Sequence, residues 1–132
     1  MKRILVDMSA TLLHHGHVRL LKEAQKHGKV IVALTTDDQI EKVKGYKPEL
    51  SYEFRKEILE SIRYVEEVIP SPWLINDDFL MAYKIDYLVH GTDNKNPIKE
   101  CKLIVYPRTD GISSSILRDR INKVKCNQDY RS

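Results

Sequence analysis

Ile4-Leu5-Val6-Asp7-Met8-Ser9-Ala10-Thr11-Leu12-Leu13-His14-His15-Gly16-His17 is the stretch that decides the fold. Three apolar residues in a row, Ile4 to Val6, mark a strand covered on both faces, as strands of a parallel sheet are. Beyond them a glycine set among histidines opens a segment with Val18, Leu21 and Ala24 on one helical stripe. Strand, polar loop and helix make the first half of a βαβ unit, and the chain repeats it. Val30–Leu34, Tyr87–Val89 and Leu103–Val105 are further apolar runs, and Val65–Ile69 is another, less buried because of Glu66 and Glu67. Helix-period segments lie between them. The first starts near Gly16 and is expected to stop at Gly28, a good C′ residue; a second follows Thr36-Asp37-Asp38. A third opens at Ser51 with Ile58, Leu59 and Ile62 on one face, a fourth runs from about Asn76 to Tyr83, and the last opens at Ser113. The alternation predicts an α/β domain: a parallel five-stranded sheet with helices on both faces.

The bulk composition fits one such domain. The chain has 132 residues, 42% of them apolar and 31% charged, with no repeat, no low-complexity tract and no linker rich in Pro or Gly. Residues 1–132 are read as one domain, with a core from about 2 to 122 and a tail from about 123. The net charge of +3 falls short of the dense basic stripe a nucleic-acid binder carries, so a small anionic ligand is expected and no nucleic acid. Cys101 and Cys126 have no metal-type partners nearby and read as reduced thiols of a cytoplasmic protein. Asp7 breaks the first apolar run far short of a secretory or membrane-spanning segment. No membrane insertion is expected.

In sheets of this kind ligands bind beyond the carboxyl ends of the strands, where the strand order reverses. Four segments there carry the chemistry. His14, Gly16 and His17 sit between the first strand and first helix, where a helix start offers free N–H groups and a positive dipole end to a phosphate. The imidazoles would flank that spot as donors to oxygens gaining charge in a nucleotidyl transfer. Read alone, the motif is equally a polar helix start with exposed histidines. Pro107-Arg108-Thr109-Asp110-Gly111-Ile112-Ser113-Ser114 joins a fork-shaped phosphate donor, Arg108, to a capped helix start; by itself it is also an ordinary capped helix. Lys44-Gly45 with Arg55 and Arg63 forms a basic group. The two arginines are eight apart, on similar sides of the third helix if it extends so far, whereas Lys47 and Lys56 read as a solvated face. His90-Gly91-Thr92-Asp93 follows an apolar strand and would border the crevice.

These residues taken together resemble the small cytidylyltransferases, a group that includes glycerol-3-phosphate cytidylyltransferase and the catalytic domains of choline-phosphate and ethanolamine-phosphate cytidylyltransferases. The resemblance runs from about Ile4 to Ile121. It is most specific at His14–His17, Ser51–Lys56, Arg63–Pro70 and Arg108–Ser113. It implies a Rossmann-like nucleotidylyltransferase domain that transfers CMP from CTP to a phosphorylated alcohol and releases pyrophosphate. His14, His17, Lys44 and Arg108 would be catalytic. Ser9, Ala10, His14, Gly16, His17, Arg63, Gly91, Asp93, Arg108, Thr109, Gly111, Ile112, Ser113 and Ser114 would bind the nucleotide. Lys44, Arg55 and Trp73 would bind the acceptor. The resemblance also implies Mg2+ carried with CTP rather than in a protein metal site, and a homodimer with Arg63–Val68 near its interface.

Two departures stand out. The family usually reads Gly-Thr-Phe-Asp where this chain has Met8-Ser9-Ala10-Thr11, which alters the loop just before His14. The family's Arg-Tyr-Val-Asp-Glu-Val is here Arg63-Tyr64-Val65-Glu66-Glu67-Val68. Ser71-Pro72-Trp73 and His90-Gly91 look like the choline and ethanolamine branch. The chain length and Pro107-Arg108-Thr109 look like the glycerol branch. Trp73 offers one wall of an ammonium cage, but Gly91-Thr92 lacks the added acidic group the choline enzymes carry. A polyol phosphate such as glycerol-3-phosphate ranks first; phosphoethanolamine, phosphocholine or a phosphonate ranks second. An adenylyltransferase and a nucleotide-binding module without turnover are the remaining alternatives.

Overall fold

The computed structural model describes residues 1–107 and 111–129, with the side chains of 124–129 left undescribed. Strands β1 (Arg3–Met8), β2 (Lys29–Thr35), β3 (Val65–Ser71), β4 (Tyr87–Gly91) and β5 (Leu103–Tyr106) form one sheet of order β3-β2-β1-β4-β5. Every neighbouring pair is parallel. The chain therefore builds one half of the sheet outward from β1, then returns to β1 and builds the other. The order reverses between β1 and β4, and the ligand crevice of such a fold opens there.

The helices are α1 (His15–Gln25), α2 (Asp37–Lys44), α3 (Tyr52–Glu60), α4 (Asp77–Ala82) and α5 (Ser114–Asp129). Alternate residues of the central strands feed two cores, as the two-residue period of a strand requires. Ile4, Val6, Val30, Val32, Leu34 and Val89 pack with Leu21 and Ala24 of α1 and Leu59 of α3. Leu5, Ile31, Ala33, Ile69 and Leu88 pack on the other face with Ile75, Leu80 of α4 and Ile85. The expected doubly covered sheet is present.

Details differ from the sequence reading. α1 ends at Gln25 with Lys26 as its C-cap, not at Gly28. Gly28 is required by close packing instead: a Cβ there would lie 2.2 Å from the Lys2 carbonyl oxygen. α3 stops at Glu60, so Arg63 is not on its face but in the turn entering β3. α5 continues to Asp129, through most of the stretch read as a tail. Pro70 fits within β3 because that strand is at the sheet edge, where a missing N–H is tolerated.

Among the described residues, the largest fully buried side chain is a charged one. Arg55, on α3, is 2% exposed. Its Nε donates to Leu50 O at 3.0 Å and its Nη1 to Ser9 O and Thr35 O at 2.6 and 2.9 Å. Nη2 donates to Asp37 Oδ1 at 2.6 Å. Asp37 in turn accepts the Tyr52 N–H through Oδ2, capping α3 where the Ser51 side chain makes no cap bond. One guanidinium thus joins the loops that leave β1 and β2 to the start of α3. Removing it would strand three carbonyls, each costing about 1–3 kcal/mol if left unsatisfied. Arg55→Met is expected to lower the unfolding free energy by at least about 3 kcal/mol in urea denaturation. A loss under 1 kcal/mol would mean the loops hold their shape without it.

Candidate functional site

The first loop brings two histidines together by using them as helix caps. His14 is the N-cap of α1 with extended backbone (φ −145°, ψ 178°). Its Nδ1 accepts the Gly16 N–H at 3.1 Å, while the His14 N–H donates to Nδ1 of His17 at 3.1 Å. This is a reciprocal capping box with imidazoles in place of hydroxyl and carboxylate, and the ring centroids lie 4.0 Å apart. A backbone N–H can only donate, so each Nδ1 must be an unprotonated acceptor. The proton of each neutral ring is then on Nε2. The caps leave both rings with an Nε2–H donor beside the positive end of α1.

Burial, reinforced by neighbouring His14, pulls the His17 pKa from 6.5 down to about 4. His17 is neutral at pH 7. The structure also gives Gly16 a second reason to be glycine: a Cβ would lie 2.8 Å from His14 Cε1 and 2.9 Å from its Nδ1. Gly16→Ala would push the His14 ring out of place. His15, between the pair, is exposed.

The loop before the histidines is held unusually. Ala10 is buried with φ 47°, a left-handed conformation that costs a non-glycine residue roughly 1–2 kcal/mol. Ser9 gives its carbonyl to Arg55. Buried Thr11 accepts from Arg118 Nη2 at 3.3 Å. The same guanidinium pairs through Nε with Glu49 and lies over the Tyr46 ring, 5.0 Å from its centroid. Arg118 therefore straps α5 to the first loop and to the segment after α2. Neither Arg118 nor Glu49 stands out in the sequence, because helix arginines and loop glutamates carry no signal until the chain is folded.

The start of α5 docks on the first loop. Ser113 caps it, its Oγ accepting the Ile116 N–H at 3.0 Å. Ser114 Oγ donates to Leu12 O at 2.9 Å, and Ile112 packs beside Gly16. Gly111, with φ 75°, turns the chain into that helix. Arg108 and Thr109 lie outside the described residues.

Lys44 is the last residue of α2, with Gly45 (φ 78°) ending the helix in the left-handed conformation. Its ammonium sits 5.3 Å from the centre of the Trp73 ring, and the Gln39 side chain accepts the Trp73 N–H. Two of the three expected acceptor residues thus meet. Gly91 and Asp93 stand at and just past the carboxyl end of β4.

Two expected residues are not brought to this site. Arg55 spends four of its five N–H donors on protein partners, so it shapes the loops and does not face an acceptor. Arg63 lies at the amino ends of the strands, opposite the histidines. It donates to Tyr64 Oη at 3.1 Å and lines a shallow cavity of about 400 Å³ with Met1, Gly28, Lys29 and Glu66. Within one chain it cannot reach a nucleotide held by His14 and His17. Among the described residues no cluster of three or more His, Cys, Asp or Glu could hold a metal ion. Nor is any helix there long and apolar enough to cross a membrane.

With this geometry in place, the comparisons give the class. The cytidylyltransferase-like family model matches residues 10–120, and the chain belongs to that family. It is 36% identical over 126 residues to glycerol-3-phosphate cytidylyltransferase of Bacillus subtilis, covering 92% of this chain and 98% of that one. The Staphylococcus aureus protein of the same name is 33% identical, over 92% and 96%. Choline-phosphate cytidylyltransferase of Saccharomyces cerevisiae is 35% identical over 92% of this chain but 31% of its own length. A solved structure titled as the lipopolysaccharide core biosynthesis protein of Thermoplasma volcanium shares the fold, with TM-score 0.70 and 20% identity over 83% of this chain and 99% of that one.

Two outcomes test the site. The folded-state pKa of His17 lies below its unfolded value, so the native state holds fewer protons between about pH 4 and 6.5. The stability that His17 contributes is fully present above about pH 6.5 and is lost as pH falls towards 4. Urea unfolding of wild type and His17→Ala across this range should show the wild type losing stability faster on acidification. A constant gap between them would mean His17 is not buried neutral. Second, Arg118→Ala should loosen the strap and raise protease cleavage between Tyr46 and Leu50, while Arg118→Lys, lacking the fork, should restore little. Unchanged cleavage in both variants would remove Arg118 from this role.

Proposed function

We propose that the protein is a CTP-dependent cytidylyltransferase whose acceptor is a polyol phosphate of the glycerol-3-phosphate type. The interlocked His14–His17 pair at the start of α1 carries the reading. A phosphate oxygen of the acceptor attacks the α-phosphorus of CTP, the bond to the bridging oxygen breaks, and pyrophosphate leaves with the electron pair. The charge that grows on the phosphate oxygens would be met by the Nε2–H groups of His14 and His17 and the start of α1, a reading supported by the way the caps fix both rings. Because the donors are set by the backbone, no reorganisation is needed as the charge develops.

The acceptor reading rests on Lys44 and Trp73. A quaternary ammonium would need that aromatic face, but the Lys44 ammonium lies over it and would repel a second cation. The same lysine favours the phosphate of the acceptor. The relatives that match over nearly their whole length are glycerol-3-phosphate cytidylyltransferases, which supports the same choice. Mg2+ would be bound chiefly by triphosphate oxygens and water, as a hard cation prefers. Arg108 and Thr109 would serve the outer phosphates beside the Ser113–Ser114 helix start. A homodimer through the Arg63–Val68 segment and a cytoplasmic location, where CTP is made, complete the proposal; the dimer would place Arg63 within reach of the partner subunit.

Pyrophosphate release, measured with each of four nucleoside triphosphates and a panel of phosphorylated alcohols, tests the reading. CTP with glycerol-3-phosphate is expected to be fastest. Preference for ATP, or for phosphocholine, would reject it. His14→Ala and His17→Ala should each lose roughly 10²–10³ in kcat, with a smaller effect on nucleotide affinity, and exposed His15→Ala should stay near wild type.

A further inference from the structure

The chain that follows Lys44 is lightly held. Residues 41 to 47 are all exposed, and Gly45 ends α2 in the left-handed conformation with open space around it. Arg55 takes up the segment again at its far end by donating to Leu50 O. Between those two points, among the described residues, the main chain of Tyr46–Glu49 makes no hydrogen bond to the rest of the domain. A segment so exposed and so little bonded opens at low cost. What grips it is a side chain from the other end of the sequence. Arg118 pairs through Nε with Glu49 and lies over the Tyr46 ring, and its Nη2 donates to Thr11 Oγ1. Arg118 stands about one turn along α5 from Ser114, whose Oγ donates to Leu12 O, while Ile112 packs beside Gly16. The helix start that lies against the histidine loop therefore also grips the chain next to Lys44.

The Arg118–Glu49 pair is partly exposed on both sides. Such a pair gains little by itself, because two long side chains must be ordered to make it; whatever orders one end lowers that cost. Resting on the reading above, with the nucleotide at the histidine loop and the start of α5 and the acceptor phosphate at Lys44, we propose that Arg118 couples the two substrate sites. A nucleotide that orders the first loop and the start of α5 fixes Arg118. The clamp on Tyr46 and Glu49 then closes at less cost, and Lys44 is held ready for the acceptor phosphate. In this role Arg118 touches neither substrate; it is a positioning residue. The coupling is reciprocal, so the acceptor raises nucleotide affinity by the same factor.

Calorimetry on the whole protein with Mg2+ tests this. The Kd of glycerol-3-phosphate is measured alone and with a saturating CTP analogue whose α,β-bridging oxygen is replaced by methylene, so that no transfer occurs. In the wild type the nucleotide is expected to tighten the acceptor at least about fivefold, the lower end for coupled sites. Arg118→Met and Glu49→Gln should each bring that factor close to one, while the analogue bound alone stays within a few-fold of wild type. The double variant should lose no more coupling than either single one, as residues of one clamp do. Glu49→Gln, at an exposed position, keeps the test open should Arg118→Met unfold. A wild-type factor of one, or variants that keep the wild-type factor, overturns the proposal. So does acceptor affinity that falls equally with and without nucleotide, which is the outcome for a merely structural contact. If no polyol phosphate binds and phosphoethanolamine does, the polyol reading falls alone, and the same ratio measured with phosphoethanolamine decides the coupling.

Discussion

A guanidinium closed off from water holds the working edge of this domain together. Arg55 reaches from α3 to the carbonyls of Ser9 and Thr35 and to the Asp37 carboxylate, fixing where the chain leaves β1 and β2. A buried charge is tolerated only when its hydrogen bonds are met, so those carbonyls are as necessary to Arg55 as it is to them. The loop after β1 then has little freedom, and Ala10 is held in a left-handed conformation. The Gly-Thr-Phe-Asp usual in the family is absent, yet this chain fixes its loop through Arg55 on one side and the Arg118–Thr11 contact on the other.

From that fixed loop the histidines follow. The His14 ring folds over Gly16, its N–H caps onto His17, and the hydrogen-bond pattern decides which nitrogen of each ring carries a proton. Structure and chemistry are the same contacts here: the bonds that start α1 also ready the donors. α5 docks across this loop through Ser114 and straps the segment after α2 through Arg118, so the histidine loop and the end of α2 share one frame.

The sheet, its helices and the placing of His14, His17, Lys44 and Ser113 were legible in the sequence, because apolar runs, helix stripes and glycine-flanked motifs are local signals. What escaped depended on distance along the chain. Arg55 and Arg63 look alike in sequence, both basic and near one helix, but α3 ends between them; one is sealed under the loops and the other faces away from the site. Asp7 read only as the end of an apolar run, since its partners His90 and Asn96 are separated from it by most of the domain. Gly16 was legible as a ligand-facing glycine; that a neighbouring imidazole also needs the space required coordinates.

Backbone caps set His14 and His17 as Nε2–H donors. Imidazole 15N shifts and long-range couplings of the nucleotide-free protein at pH 7, assigned through His14→Gln and His17→Gln, measure this directly. The account predicts an unprotonated Nδ1 and a protonated Nε2 in both rings. A proton on Nδ1 of either ring, or a doubly protonated His17, would contradict it.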